Sequence, residues 1–348
     1  VADVRVGIVG YGLAGRTLHG SLIRAVDGLT VTAVVTRSPE RAAAVVHDHP
    51  GATVCADLDD LLATRCDLVV LASPNPLHAE QAVAVLAAGR AVVVDKPLAT
   101  SVDAARRVRD EADRRGLLLS PFHNRRWDSD TLTARKLLTD GVLGPLHRWE
   151  SRFERFRPQV TDAVWKRDPE AGGILLDLGT HLTDAAAYVL GRPTSVYAEI
   201  AARRPDALVD DDAFLALAHP GGAIAHLWVS AIAADPGPRL RLRGTRGGWT
   251  VPELDGQEAA LRDGVDPAQP GWGIEPAEHW GRLTTVEGTS PYEPVPGDWP
   301  AYYRGIEQAL RTGSPPPVTA EEGVAVLEIL AAARRSAASG AVVEVPYG

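Results

Sequence analysis

In the stretch Gly172–Asp184, GGILLDLGTHLTD, Asp177 and His181 stand four residues apart, behind two glycines and an apolar Ile-Leu-Leu run. On a helix that spacing puts both side chains on one face, a single turn apart. A carboxylate beside an imidazole orients the ring, stabilises its protonated form and tunes its basicity, which suits proton transfer near neutral pH. The same two residues also suit a helix cap and a polar residue of the core, so the chemistry needs support from elsewhere. An i, i+4 pair can hold zinc as well, but no third ligand stands at a convincing spacing. Cys55 and Cys66 match no zinc pattern either, and no metal is expected.

A second constellation opens the chain. Gly10-Tyr11-Gly12-Leu13-Ala14-Gly15 fits G-x-G-x-x-G directly after an apolar run and at the start of a helical pattern. Its glycines permit a tight turn, close approach of a pyrophosphate to backbone, and close packing of helix on strand. The helix N-terminus adds oriented N–H groups for the phosphates. A dinucleotide site is expected there. At the end of the second strand, where an NAD site usually carries Asp or Glu for the ribose 2′-hydroxyl, this chain has Thr36-Arg37-Ser38, with Arg41 a step further on. No carboxylate repels a 2′-phosphate, and a guanidinium can pair with one. NADP is therefore the expected cofactor, with NAD possible. The alternative is that Arg37 only stacks on adenine in a site that accepts both.

These residues need a scaffold, and the hydrophobic pattern describes one. The chain has 348 residues, 45% of them hydrophobic and 23% charged, which suits a soluble protein of two domains. A net charge of −9 speaks against a general nucleic-acid binder. No segment approaches the roughly 20 apolar residues of a membrane span. Two cysteines without a disulfide framework point to a reducing cytoplasm. Only Lys96, Lys136 and Lys166 are lysines, so each is informative. Short apolar runs at 4–9, 29–35, 67–72, 91–95 and 117–121 alternate with helical patterns, the signature of a doubly wound parallel sheet. Past Asn124 the pattern changes to strands with one wet face at 146–156, 195–200, 212–218, 223–229 and 239–243, read as antiparallel. Residues 263–298, rich in Gly, Pro and Trp, read as an ordered covering loop. Helices are expected near 299–312 and 320–339, then a short final strand that suits a sheet edge. The fold class is thus α/β: a Rossmann domain over residues 1–122 and an α+β domain on an open, largely antiparallel sheet over 123–348. The last helices and strand are free to pack back on the first domain.

Alongside IVGYGLAG and GGILLDLGTHLTD, the chain carries ASPNPLH at 72–78 and VVVDKPLA at 92–99. Together, in this order, the four motifs resemble the glucose–fructose oxidoreductase/inositol dehydrogenase/MocA family of NAD(P)-dependent oxidoreductases, over nearly the whole chain. FHNRRWDSD and ESRFERFRP resemble its branch that contains NADP-dependent scyllo-inositol dehydrogenases and many members of unassigned substrate. The resemblance implies that Asp95-Lys96-Pro97 corresponds to the family's E-K-P, with Lys96 at the reacting centre and Asp95 one methylene shorter than the usual glutamate. It implies that His181 is the proton donor or acceptor, with Asp177 beside it. Ser73, Pro74, Asn75 and His78 are implied as cofactor contacts. Trp165-Lys166 stands near the place of a ligand-binding Trp-Arg pair. Asn124, Arg125 and Arg126, after the last Rossmann strand, are candidates to face the substrate. A homo-oligomer, dimer or tetramer, is implied in the same way.

The residue chemistry agrees with that resemblance. Oxidising a secondary alcohol removes a hydride, which a nicotinamide takes, and a proton, which the protein must manage. Histidine is suited to the proton, and Lys96 at a buried strand's carboxyl end can hydrogen-bond a developing alkoxide. Trp165, Trp272, Trp280 and Trp299 could line a sugar pocket, although packing accounts for most such tryptophans. The expected substrate is a cyclic polyol, sugar or keto-sugar, with an inositol-type compound favoured and the cleft between the two domains as its place. Two alternatives stay open: redox-assisted glycoside hydrolysis with tightly held NAD, and a catalytically silent NADP-binding regulator. Arg37→Asp should weaken NADP+ binding at least about tenfold more than NAD+ binding, the worth of a charge-assisted hydrogen bond. Equal losses in a titration of both nucleotides would remove the 2′-phosphate role.

Overall fold

The computed structural model describes residues 2–160, 168 and 172–346; Trp165 and Lys166 lie outside the described residues. The apolar runs of the first third form β1 (Val4–Val9), β2 (Leu29–Val35), β3 (Thr53–Cys55), β4 (Leu68–Leu71), β5 (Ala91–Val94) and β6 (Leu119–Pro121). They make one sheet in the order β3-β2-β1-β4-β5-β6, every pairing parallel. All residues of β4 and β5 are buried, as strands covered on both faces must be. A helical segment, Leu13–Gly20, wound with wide π-type turns, runs into α1 (Ser21–Arg24) after β1. Then come α2 (Pro39–Asp48), α3 (Leu58–Leu62), α4 (His78–Ala87) and α5 (Val102–Arg115). β3 and α3 escape a reading of periodicity because three and five residues are too short to show one.

A second sheet contains β7 (Leu146–Glu154), β8 (Ser195–Ala201), β9 (Asp212–Ala218), β10 (Ile224–Ser230), β11 (Leu240–Gly244), β12 (Gly247–Val251), β13 (Gly281–Thr285), β14 (Gly288–Tyr292) and β15 (Val343–Glu344). Its order is β14-β13-β12-β11-β7-β10-β9-β8-β15. β9 and β10 alternate buried and half-exposed residues, so one face of the sheet is packed and the other is open. α6 (Ser129–Thr139) and α7 (Thr180–Leu190) belong with this sheet, α7 lying on β7 and β10. Two expectations are corrected here. β10 runs parallel to β7, the one parallel pairing in this otherwise antiparallel sheet among the described residues. The region 263–298 is not all loop, because it supplies the hairpin β13–β14 at the sheet's edge. Pro291 within β14 disguises that strand, and an edge position is where a proline is tolerated.

Contacts divide the chain into two compact units. One comprises Val1–Asn124, Gln257–Trp272 and Asp298–Val324, the other Arg125–Gly256, Gly273–Gly297 and Ala325–Gly348. In the first, α8 (Gln257–Arg262) packs on the helical segment Leu13–Gly20, and α9 (Pro300–Thr312) packs on α1. Gln257 Oε1 accepts both Trp272 Nε1 at 3.0 Å and the Trp299 backbone N–H at 2.8 Å, so these two tryptophans serve packing. α10 (Ala320–Ser339) is the last helix. None of the described helices is long and apolar enough to cross a membrane.

The second of the two glycines before Asp177 has a steric reason. Gly173 has φ +93°, and a Cβ there would land on the Asp210 carboxylate. Asp210 needs that proximity, because its Oδ2 accepts the Leu175 N–H at 2.7 Å while its carbonyl accepts the Ile174 N–H at 2.8 Å. These bonds satisfy N–H groups that a helix start leaves open. Arg334 holds the same carboxylate at 3.1 Å. Gly173→Ala should therefore destabilise the protein by about 1–3 kcal/mol through forced backbone strain, before any displacement of Asp210 is counted. A parental midpoint in thermal and denaturant unfolding would sink this account.

Candidate functional site

Four neighbouring strand ends carry the expected cofactor residues. Backbone bonds continue the ladder past the strands: Gly10 N–H to Val35 O at 3.1 Å, Ala72 N–H to Val9 O at 2.9 Å, and Asp95 N–H to Leu71 O at 2.8 Å. The glycine turn, the Thr36–Arg41 segment, Ser73–His78 and Asp95–Pro97 therefore stand side by side at one edge of the sheet. The strand order reverses between β1 and β4, where open α/β sheets form a crevice.

The glycines answer the motif's requirements one by one. A Cβ on Gly10 would come within 2.7 Å of Ala72 O, and one on Gly15 would strike Gly10 O. Gly12 differs: the space before it is open, and a Cβ there would meet nothing closer than the Arg41 guanidinium at 3.9 Å. An uncrowded backbone faced by a cation fits a phosphate-bearing nucleotide. Arg37 and Arg41 are both exposed, with no carboxylate among residues 36–38. Ser38 is occupied in part as the N-cap of α2, its Oγ accepting the Arg41 N–H at 3.3 Å, and Thr36 Oγ1 accepts the Ser38 N–H. Leu13 is half-exposed and Ala14 partly so.

Tyr11 is buried and is spent on anchoring. Its hydroxyl donates to Asp48 Oδ2 at 3.0 Å at the end of α2, and Arg16 Nε reaches the same oxygen at 2.6 Å. Burial works against charge on Asp48, but hydrogen bonds from Arg16, His47 and Tyr11 outweigh it and hold the carboxyl well below its ordinary range. Burial and the Asp48 charge push the Tyr11 phenol upward. Neighbouring His49 is pushed down to about 4, chiefly by burial.

His78 is likewise buried. Its Nδ1 lies 2.8 Å from Pro97 O and its Nε2 lies 2.8 Å from Ser73 O, so the ring braces the loop after β4 against the Lys96-Pro97 turn. Ser73 Oγ donates to Gln81 Oε1 at 2.6 Å. Asn75 is buried, while Pro74 is exposed. Asp95 and Lys96 are partly buried just past β5, and Asp95 Oδ1 accepts the Lys96 N–H at 2.8 Å. Asn124, buried, closes this unit's first segment.

The second unit places Asp177 in a π-wound turn, Leu175–Gly179, that leads into α7, and His181 in the first turn of α7. His181 is 8% exposed and meets the Phe153 ring at 6.1 Å, edge on. Phe153, on β7, is also flanked by the guanidiniums of Arg125 at 5.0 Å and Arg239 at 4.2 Å. Arg125 Nη1 pairs with Asp128 at 3.2 Å, and Arg239 Nε with Asp130 at 2.9 Å. Arg126 is engaged elsewhere: Asp184 takes its Nε at 3.0 Å and Nη2 at 2.7 Å, and its guanidinium lies over the Tyr188 ring. His181 thus has Arg125 near it, through Phe153, whereas Arg126 is tied to Asp184. Phe153, Arg239, Asp184 and Asp210 were not singled out by sequence reasoning. Asp184 could have been, since 177, 181 and 184 follow i, i+4, i+7 on one helical stripe. Arg239 and Asp210 carried no such local signal.

Residues 4–123 match the family model described as "Oxidoreductase family, NAD-binding Rossmann fold", and residues 135–345 match "Oxidoreductase family, C-terminal alpha/beta domain". The chain is 36% identical over 341 residues to scyllo-inositol 2-dehydrogenase (NADP(+)) IolW of Bacillus subtilis, covering 97% of this chain and 94% of the relative. It is 29% identical over 321 residues to D-xylose 1-dehydrogenase (NADP(+)) 2 of Haloferax volcanii, covering 90% and 91%. The solved structure of yvaA from Bacillus subtilis superposes with a TM-score of 0.94 at 35% identity, over 99% of each chain.

The Asp48 clamp on the glycine turn has a pH signature. A carboxyl held low when folded stabilises above its unfolded pKa of about 4, and that gain is lost as pH falls through the folded value. Asp48→Asn should lower the melting temperature at pH 7 by about 2–4 °C, the shift that roughly 1 kcal/mol produces in a domain of this size. The gap from the parent should stay constant down to pH ~5 and shrink below pH ~4. Melts across pH check this, and a gap that widens in acid would contradict the clamp.

Proposed function

Because the chain belongs to the glucose–fructose oxidoreductase/inositol dehydrogenase/MocA family of oxidoreductases, a dehydrogenase with an NAD(P)-binding Rossmann domain, we propose that it is an NADP-preferring dehydrogenase of cyclic polyols or sugars, with an inositol-type substrate favoured. The observation that carries the cofactor preference is the segment after β2, where Arg37 and Arg41 are exposed, Arg41 faces the open backbone of Gly12, and residues 36–38 carry no carboxylate. A guanidinium pair there neutralises a 2′-phosphate that an Asp or Glu would repel. The names of the two NADP-dependent relatives support the same choice, and they support a polyol or sugar as substrate.

When bound, the nicotinamide supplies the hydride chemistry. The glycine turn and the Thr36–Arg41 segment hold the nucleotide, and Ser73–Asn75 border it. Lys96 donates a hydrogen bond to the substrate oxygen, stabilising negative charge as it develops there. His181 takes the hydroxyl proton during oxidation and returns it in the reverse direction, with Asp177 orienting the ring and balancing its charge. Arg125 borders the substrate beside Phe153. The protein acts as a homo-oligomer.

The test is a panel of inositols, pentoses and hexoses with NADP+ and NAD+, followed by reduced-cofactor absorbance. Turnover of a cyclic polyol, faster with NADP+, is expected; tight NADPH binding with no turnover of any polyol or keto-sugar would instead indicate a silent regulator. On the best substrate His181→Ala should lower kcat by about 10²–10⁴-fold, the worth of general acid–base catalysis, and leave nucleotide affinity near parental. Near-normal turnover would take His181 out of proton transfer.

A further inference from the structure

Next to Lys96, within the nucleotide-binding unit, two fully buried polar side chains from distant parts of the chain meet a partly buried carboxylate. Tyr303 of α9 and His19 of the glycine-turn helix are fully buried, and Tyr303 Oη lies 2.6 Å from His19 Nδ1. The other ring nitrogen, Nε2, lies 3.9 Å from Asp95 Oδ2. Asp95 Oδ1 in turn accepts the backbone N–H of Lys96 at 2.8 Å. Phe122 packs on the His19 ring at 4.2 Å and prevents it from turning freely.

The protons in this chain can be assigned. Among the described residues, the Tyr303 hydroxyl has His19 as its hydrogen-bond partner and no other. Burial, with Tyr302 and Asp95 nearby, keeps the phenol protonated far above its ordinary range. The hydroxyl therefore donates to Nδ1, and the ring's own proton sits on Nε2, pointing at Asp95. At 3.9 Å that contact is longer than a hydrogen bond, yet with the ring fully buried and the carboxylate largely so it remains a directed attraction. Burial opposes charge on Asp95, but His19, Lys96 and His78 outweigh it, and its carboxyl is held below the ordinary range.

We propose that His19 and Tyr303 are positioning residues for Lys96: Tyr303 selects the His19 tautomer, His19 fixes the Asp95 carboxylate, and Asp95 fixes the lysine's backbone. This rests on the reading that Lys96 acts at the reacting hydroxyl. It links the helix that follows the glycine turn to the residue that touches substrate, so nucleotide and alkoxide stabiliser share one buried reference point. A purely structural brace would lower stability and leave the chemical step alone.

The full-length protein tests this with kcat, KM for both substrates and the melting temperature measured together. Tyr303→Phe removes one oxygen and keeps the packing; kcat should fall about 3–10-fold, the worth of one buried hydrogen bond, with nucleotide KM unchanged. His19→Gln should lower kcat further, and the double variant should be no slower than His19→Gln alone, since Tyr303 acts through the ring. Long-range ¹H–¹⁵N spectra of the parent should show a protonated Nε2 and an unprotonated Nδ1 in His19. Parental kcat in Tyr303→Phe, additive losses in the double variant, or a proton on Nδ1 would each overturn the proposal. Lys96→Ala separates the two levels. If it is inactive while the His19 and Tyr303 variants turn over normally, this inference alone fails; if it is fully active, the lysine's role fails and takes the inference with it.

Discussion

A parallel sheet covered on both faces can display polar chemistry only where its strands end. β4 and β5 are buried at every residue, and β1 at its last four, so nothing along their length is available to a ligand. The glycine turn, the arginine-bearing segment after β2, the Ser73–His78 loop and the Asp95-Lys96-Pro97 turn all hang from that single edge. Their spacing is inherited from the ladder, because backbone hydrogen bonds run on past the strands through Gly10, Ala72 and Asp95. Four loops far apart in sequence thereby become one surface without needing direct contacts among their tips.

Loops on such an edge still have to be held, and here three of the four are held by polar groups that are wholly or partly buried. Tyr11 and Arg16 fasten the glycine turn to Asp48, His78 ties the β4 loop to the Lys96-Pro97 turn, and His19 stands between Tyr303 and Asp95. Buried hydrogen bonds of this kind are directional and costly to break, so they specify position as much as they add stability. The glycines do the complementary work by letting backbone come close: Gly15 lies against Gly10 O, where a side chain would not fit.

The second unit uses a helix start instead of a strand end. Asp177 and His181 occupy the widened turn and first α-turn of one helix, and Asp210 reaches across from before β9 to satisfy its free N–H groups. Gly173 is the condition for that reach. Arg125 and Arg239, paired with Asp128 and Asp130, flank Phe153 beside His181, so the positive charges there are balanced and fixed in direction. Arg126 shows the opposite outcome for an adjacent residue, its guanidinium committed to Asp184 and Tyr188.

The parallel sheet, the glycine turn, the missing carboxylate after β2 and the helix start that carries Asp177 and His181 were legible in sequence. Each is a local pattern: a run of β-branched residues, a fixed motif spacing, a helical period. The hairpin β13–β14 was not legible, because Pro and Gly blur a period that only pairing with β12 completes. Nor could sequence tell Arg125 from Arg126, two neighbours of the same type whose partners lie 3 and 58 residues away. Nothing local in the sequence marks His19, since its partner Tyr303 lies 284 positions on. Local periodicity decides which element a residue joins and which face it takes. Which buried partner it meets there is decided by the packing of distant segments, because a hydrogen bond or ion pair depends on ångström distances that no sequence spacing encodes.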